Sequence, residues 1–447
     1  MFERKVYKEL LVWKEKYSSH YACLLEGARR VGKSTIAEYF AKNNYKSYIL
    51  VDFSNISKSL LSVFDDISNL DMFFLRLQAE TGISLFEHES CIIFDEIQLA
   101  PEVRQAVKFL VKDGRYAIIE TGSLISIHKN IKNIVIPSEE MKINVYPMDY
   151  EEFCWATGSN YNLLEQLYDL KKPVGNTTNR KLMRDFRIYM AVGGMPQAVL
   201  AYINKQNFEV IDTIKRQIIN LYEEDFRKID PTGRISKLYN SIPAQLSNNK
   251  SRFVMSNALE KSRISVKDEE LLSELIDSKT VLPCYNVTDP SILLSLNTDI
   301  NNFKLYLSDI GLFTTMIFNN KELGCSNLYS KLLSDKLDAN LGYLYENAIA
   351  QIIVSTNNKL YFHTFKMKDK THSYEIDFLL TNKNKLIPIE VKSSESRNHT
   401  SINEFSKKYS NKISRRILFS QDDYSHDNML ELIPIYLAPL IIKSLDE

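Results

Sequence analysis

Gly27-Ala28-Arg29-Arg30-Val31-Gly32-Lys33-Ser34 satisfies every fixed position of GxxxxGK[ST], the pattern of a phosphate-binding loop. Its flanks agree. Tyr21 to Glu26 is an apolar, strand-like run, and Thr35-Ile36-Ala37-Glu38-Tyr39-Phe40-Ala41 reads as the first turns of an amphipathic helix. Such a loop needs that setting: glycines let backbone N–H groups approach phosphate, and the helix N-terminus adds partial positive charge. Lys33 is placed to contact the β- and γ-phosphates of ATP, and Ser34 to hold a magnesium ion. Gly27, Arg29, Arg30, Val31, Gly32 and Thr35 complete the nucleotide-binding set of the loop.

Further along, Ser47 to Asp52 reads as a second strand and Cys91-Ile92-Ile93-Phe94-Asp95-Glu96 as a third. Four apolar residues followed by two acids describe a buried parallel strand that delivers carboxylates at its C-terminal edge, where open α/β sheets bind ligands. Asp95 then acts on the magnesium ion and Glu96 orients the attacking water. Arg104 to Lys112 reads as a helix, Tyr116 to Ser123 as a buried strand ending in hydroxyls, and Lys142 to Pro147 as a fifth strand. Thr121 or Ser123 is placed to sense the γ-phosphate, or merely to satisfy backbone groups at a strand end.

A chain of 447 residues with 44% apolar and 25% charged side chains has the makeup of a soluble protein of about three domains. Lys plus Arg equals Asp plus Glu at 56 each, so any nucleic-acid surface must be local. Five scattered cysteines form no CxxC pair, which argues for a reducing cytoplasm and against structural zinc. Charges every few residues from Met1 to Tyr17 exclude a signal-peptide core and suggest a surface helix packing Val6, Leu10, Leu11 and Trp13. Leu432 to Ile442, broken by Pro434 and Pro439, is too short to span a bilayer, so no membrane partner is expected.

Asp95-Glu96-Ile97-Gln98, Thr121-Gly122-Ser123 and Tyr146-Pro147-Met148-Asp149-Tyr150-Glu151-Glu152-Phe153 together resemble the prokaryotic archaeal-type ATPases, with an AAA-type core and a DUF4143-type C-terminal region. Gly193-Gly194-Met195-Pro196 looks like the Gly-Gly-x-Pro hallmark of the same family, and it is read as a corner in a helical lid. The resemblance implies an α/β fold with a parallel AAA-type sheet over 1–150 and the lid over 151–231. Many members carry a Gly-Arg before the last core strand, where this chain has Pro137-Ser138-Glu139-Glu140-Met141, so no second sensor arginine is assigned. Asn160 to Arg180 is polar and reads as an exposed loop. Three short helix patterns and a strand pair over 232–310 suggest a winged helix.

The last segment, 311–447, holds a second set of charged residues. Tyr374 to Leu380 and Leu386 to Lys392 read as two strands joined by the polar turn Thr381 to Lys385, with Glu375, Asp377, Glu390 and Lys392 on one side. Paired carboxylates with a lysine two residues on suit magnesium-dependent phosphodiester cleavage: Asp377 and Glu390 bind the cation while Lys392 positions hydroxide. The order resembles the PD-(D/E)xK nuclease core, which implies Glu346 as its helix-borne acid and third metal ligand. Thr381 to Ser420 also carries nine Lys or Arg against three acids, a basic surface of the kind a phosphate backbone seeks. The chain thus reads as an ATPase that binds DNA, including branched DNA, with metal-dependent cleavage as a further activity. The other reading is a nucleotide-gated regulatory switch whose inactive nuclease-like domain binds a protein partner or a second copy.

Overall fold

The computed structural model describes residues 1–122, 138–248, 252–318, 325–336, 342–366, 373–393, 399–427 and 429–446. Ser123, Pro137, Glu395 and Arg397 therefore lie outside the described residues. Two compact units divide the chain: Met1–Tyr146 with Asp277–Lys279, and Pro147–Ile276 with Thr280–Glu447.

The first unit is built on strands β1 (Ala22–Glu26), β2 (Ser47–Asp52), β3 (Ser90–Asp95), β4 (Ala117–Gly122) and β5 (Glu140–Asn144). They lie in the order β2-β3-β4-β1-β5, every pair parallel. β1 and β3 are buried along their whole length, the pattern of strands covered on both faces. Phe73 and Leu77 from helix Leu70–Thr81, with Val107 and Leu110 from helix Pro101–Asp113, pack against Leu24, Ile49, Ile92 and Phe94. Pro101 begins its helix at a position where a missing N–H costs nothing. In the N-terminal helix Val6–Lys16, Val6, Leu10 and Trp13 are buried, but Leu11 is 40% exposed. Val6, Leu10 and Trp13, four and three residues apart, define the buried stripe, and Leu11 falls beside it.

The second unit opens with helices where a loop is expected. Tyr161–Leu170 and the start of Asn176–Val192 occupy the polar stretch 160–180. Asn160 caps the first helix by accepting from the Leu163 N–H at 3.2 Å, and Tyr161 and Leu164 supply its buried face. A few apolar side chains at the right spacing outweigh the polar count.

The Gly-Gly corner is a packing device. A Cβ on Gly194 would meet the Met148 carbonyl oxygen at 1.9 Å. Asp309, fully buried, accepts from Gly194 N at 2.6 Å and from Leu312 N at 2.8 Å. Three distant segments thereby meet at one backbone-to-backbone contact.

Helices Arg234–Ser247, Met255–Leu259 and Val266–Asp277 precede β6 (Val281–Val287) and β7 (Thr298–Leu307), an antiparallel pair. This is the expected helix and hairpin order, yet the hairpin does not end a domain. β6 also pairs in parallel with β8 (Leu360–Lys366), which pairs with β9 (Ser373–Ile376), giving the sheet β7-β6-β8-β9. The boundary placed at 310 therefore cuts a continuous sheet; β8 covers the edge that β6 would otherwise expose. A second sheet follows in the order β10 (Phe378–Asn382), β11 (Lys385–Val391), β12 (Arg416–Ser420), β14 (Leu430–Pro434), β13 (Ser425–Asp427). No helix among the described residues is long and apolar enough to cross a membrane.

Asp268 locks the three-helix region. Fully buried, it takes Lys261 Nζ at 2.8 Å, Arg234 at 3.1 Å and the Ser265 hydroxyl at 2.7 Å. The Lys261 contact first, then Ser265, holds its carboxyl well below the usual range. Its folded pKa is depressed, so its contribution is full above the unfolded carboxylate value near about 4 and fades as pH falls toward the folded one. Asp268→Asn should cost about 2 kcal/mol at neutral pH, because it removes the buried charged partner of Lys261 and one of the two carboxylates that hold Arg234. Denaturant unfolding at neutral pH and again near about pH 3 checks this: the difference from wild type should shrink on acidification.

Candidate functional site

At the C-terminal edge of the first sheet, the loop between β1 and helix Lys33–Asn44 lies against the strand β5 exit. A Cβ at Gly27 would come within 2.2 Å of the Val145 carbonyl oxygen, so only glycine fits. Gly32, at φ 97°, turns the chain into the helix. Lys33 is 6% exposed and donates from Nζ to the carbonyls of Gly27 at 3.0 Å and Ala28 at 2.9 Å. Burial pulls its ammonium down to about 8, with Glu96 and Asp95 opposing. The loop's own carbonyls hold the charge that a phosphate would take.

Asp95 and Glu96 stand where β3 ends. The Thr121 hydroxyl donates to Asp95 Oδ1 and accepts from the Glu96 N–H at 3.4 Å. Thr121 thus ties together the two acids that the sequence assigns to magnesium and water. Glu96 adopts φ 54°, a left-handed backbone that costs a non-glycine residue energy and tends to persist at functional positions. Gln98 donates to Glu96 Oε2. Ser34 and Arg29 are partly exposed, and Arg30 and Thr35 are exposed. A serine hydroxyl and an aspartate carboxylate are oxygen donors of the kind a hard cation takes.

Val31 ties the loop to the segment ahead of the first helix. Its side chain is buried, and its carbonyl accepts from Arg4 at 3.0 Å. The same guanidinium donates to the Tyr146 carbonyl at 2.6 Å. Arg4 lies inside the protein although it looked like one of many surface charges before the first helix. Its only sequence signal is its place just ahead of the apolar stripe.

In the second unit, the expected strand Tyr374–Leu380 breaks at Asp377. β9 ends before it and pairs with β8; β10 begins after it and forms an antiparallel hairpin with β11. The break turns the Asp377 carboxylate onto the Val391 N–H, which it accepts at 2.8 Å. Glu390 is 3% exposed; one oxygen pairs with Lys392 at 2.7 Å and the other is buried without a hydrogen-bond partner. Glu346, on helix Gly342–Ser355, accepts from the Tyr306 hydroxyl at 3.1 Å. Burial first, then the charge of Glu346, holds the Asp377 carboxyl well above its usual range, with Lys304 opposing.

Lys304 and Tyr306 on β7 are absent from the sequence reading, and they change the arrangement. Buried Lys304 forms an ion pair with Glu375 and lies 3.9 Å from Glu346. Glu375 is therefore drawn to this lysine rather than toward Asp377 and Glu390. Among the described residues no three His, Cys, Asp or Glu side chains form a group that could hold a metal ion; in the trio Glu346, Asp377 and Glu390, the first accepts from Tyr306, the second from the Val391 N–H, and the third pairs with Lys392. The trio's donor chemistry fits a hard cation, and the orphaned Glu390 oxygen is a ready ligand. The basic stretch is also partly neutralised: Lys407 pairs with Glu404, Lys412 with Asp289 and Arg415 with Glu431.

A parallel sheet carrying a phosphate loop, an adjacent Asp-Glu strand end and a linking threonine defines a P-loop ATPase core. A family described as "AAA domain" matches residues 19–154, and DUF4143 matches residues 341–438. The chain thus carries an AAA domain followed by a C-terminal DUF4143 region. A further family of unknown function, DUF8612, matches residues 183–323. An uncharacterized protein of Methanocaldococcus jannaschii is 24% identical over 218 residues, covering 46% of this chain and 44% of that protein. The chain thus spans under half of that relative's length. Cdc6p from Pyrobaculum aerophilum aligns at 12% identity over 74% of this chain and 94% of its own, with a TM-score of 0.23. The RuvB Holliday junction branch migration motor from Thermotoga maritima aligns at 12% over 61% and 88%, with a TM-score of 0.27. Likenesses at these scores carry no argument about function.

Proposed function

We propose that this chain is a magnesium-dependent ATPase whose nucleotide state governs DNA binding by its second unit. The observation that carries the ATPase part is the meeting of Lys33, Asp95, Glu96 and Thr121 at one sheet edge. Ser34 and Asp95 would hold magnesium, which would supply charge neutralisation at the phosphates. Lys33 leaves its loop carbonyls for the phosphates, Glu96 orients water, and Thr121 keeps the two acids in register.

For the second unit, the reading rests on Asp377, Glu390 and Lys392 with Glu346 in one electrostatic neighbourhood. Glu346, Asp377 and Glu390 would hold a cation, and Lys392 would position water and offset charge on a phosphodiester. One observation favours the other reading, a regulatory switch with a protein partner. Helix Val266–Asp277, the third of the winged-helix pattern, exposes Glu269 and Glu270, which would repel a phosphate backbone.

The test is binding and cleavage of labelled linear, single-stranded and four-way-junction DNA, with and without magnesium and ATP. Wild type is compared with Asp377→Ala and Lys33→Ala. DNA binding should weaken at least about tenfold between about 50 and about 200 mM salt and respond to ATP only when Lys33 is present. Cutting lost in Asp377→Ala would assign the nuclease site. Neither binding nor cutting, together with a stoichiometric protein complex, would replace the DNA reading with the partner reading.

A further inference from the structure

An open cavity of about 720 Å³ lies in the first unit between the segment after β2 and the turn after β3. Leu61, Phe64 and Ile67 form one wall, and Leu99 part of the other. Leu61 is 46% exposed and Leu99 53% exposed, so large apolar surface faces solvent at the mouth of a pocket. Asp65 and Glu102 also line it, both exposed, and among the described residues no Lys, Arg or His does. Apolar floor and acidic rim form one chemical pattern.

The wall is also part of the hydrolysis machinery. Ile97–Leu99 is a single helical turn that directly follows Glu96, and Gln98 within it donates to the Glu96 carboxylate. Any occupant pressing on Leu99 presses on the turn that aims Glu96.

We infer that this groove docks a segment of a partner protein that carries a large apolar side chain between lysines or arginines, and that docking sets the rate of ATP hydrolysis. The apolar residue fills the space between Leu61 and Leu99; the cations answer Asp65 and Glu102. Charge pairs at the rim govern encounter and specificity, while the apolar plug supplies affinity. The rate effect rests on the role given to Glu96 above, but the binding does not.

The experiment uses the full chain and three labelled peptides: a Leu-Phe core flanked by lysines, the same core flanked by glutamates, and a serine core flanked by lysines. Fluorescence anisotropy should show the first binding at least about tenfold tighter than either control. Leu61→Ser with Leu99→Ser should remove that preference, and Glu102→Lys should shift it toward the glutamate-flanked peptide. The first peptide should change wild-type ATP turnover at least about threefold, and it should bind Glu96→Gln as it binds wild type. Equal binding of the three peptides, or binding that survives loss of Leu61 and Leu99, overturns the docking claim. Binding without a rate change overturns the coupling alone. Self-association in sedimentation that disappears in the Leu61→Ser, Leu99→Ser variant would make a second copy the occupant and sink the proposal.

Discussion

Glu96→Gln is expected to bind ATP as wild type does and to hydrolyse it at least about 100-fold more slowly. Glutamine keeps the size of the side chain and an oxygen to accept from Gln98, so the turn Ile97–Leu99 should stay in place. What it loses is the negative charge that the proposed mechanism uses to orient water. Lys33→Ala should behave differently, losing ATP binding itself, because it removes the buried ammonium that the loop holds against its own Gly27 and Ala28 carbonyls. Equilibrium binding of a fluorescent ATP analogue and single-turnover hydrolysis separate the two. Turnover in Glu96→Gln within about threefold of wild type would move the catalytic role elsewhere.

The first unit was legible because its signals are local and mutually consistent. Uniformly apolar strands announced burial on both faces, and the acids at the end of β3 needed only strand periodicity to be placed. Tertiary pairing is what a linear reading lacks. Lys304 stands among apolar residues in β7 and reads as one tolerated charge on a strand; the pairing of β6 with β8 and of β8 with β9 brings it to Glu375, and helix Gly342–Ser355 packed on β7 brings it to Glu346. Alternation through Asp377 likewise assumed an unbroken strand, whereas the chain changes sheets there. Arg4 escaped for the same reason: its partners are carbonyls at Val31 and Tyr146, far along the chain.

Lys304→Met should destabilise the second unit by about 3–5 kcal/mol, because it removes one partner of a buried charged group and leaves the others uncompensated. Burial alone would disfavour the ammonium, yet Glu375, then Glu346 and Asp377, hold its pKa above the ordinary lysine value. With the folded pKa raised, its contribution is complete below the unfolded value near about 10 and is lost only as pH rises through the folded one, so neutral pH shows the full effect. Methionine preserves the stem's packing, which confines the change to charge. Denaturant unfolding measures it, and Lys304→Met with Glu375→Gln should recover at least about 1 kcal/mol, since the two side chains are directly paired. The same variant interrogates the metal reading without any activity assay. If Glu346, Asp377 and Glu390 hold a hard cation, magnesium should stabilise Lys304→Met more than wild type, because the ion then supplies the positive charge that the lysine supplied. Equal stabilisation of both proteins would mean that these acids serve the lysines and the fold, and that the nuclease-like site is an interaction module.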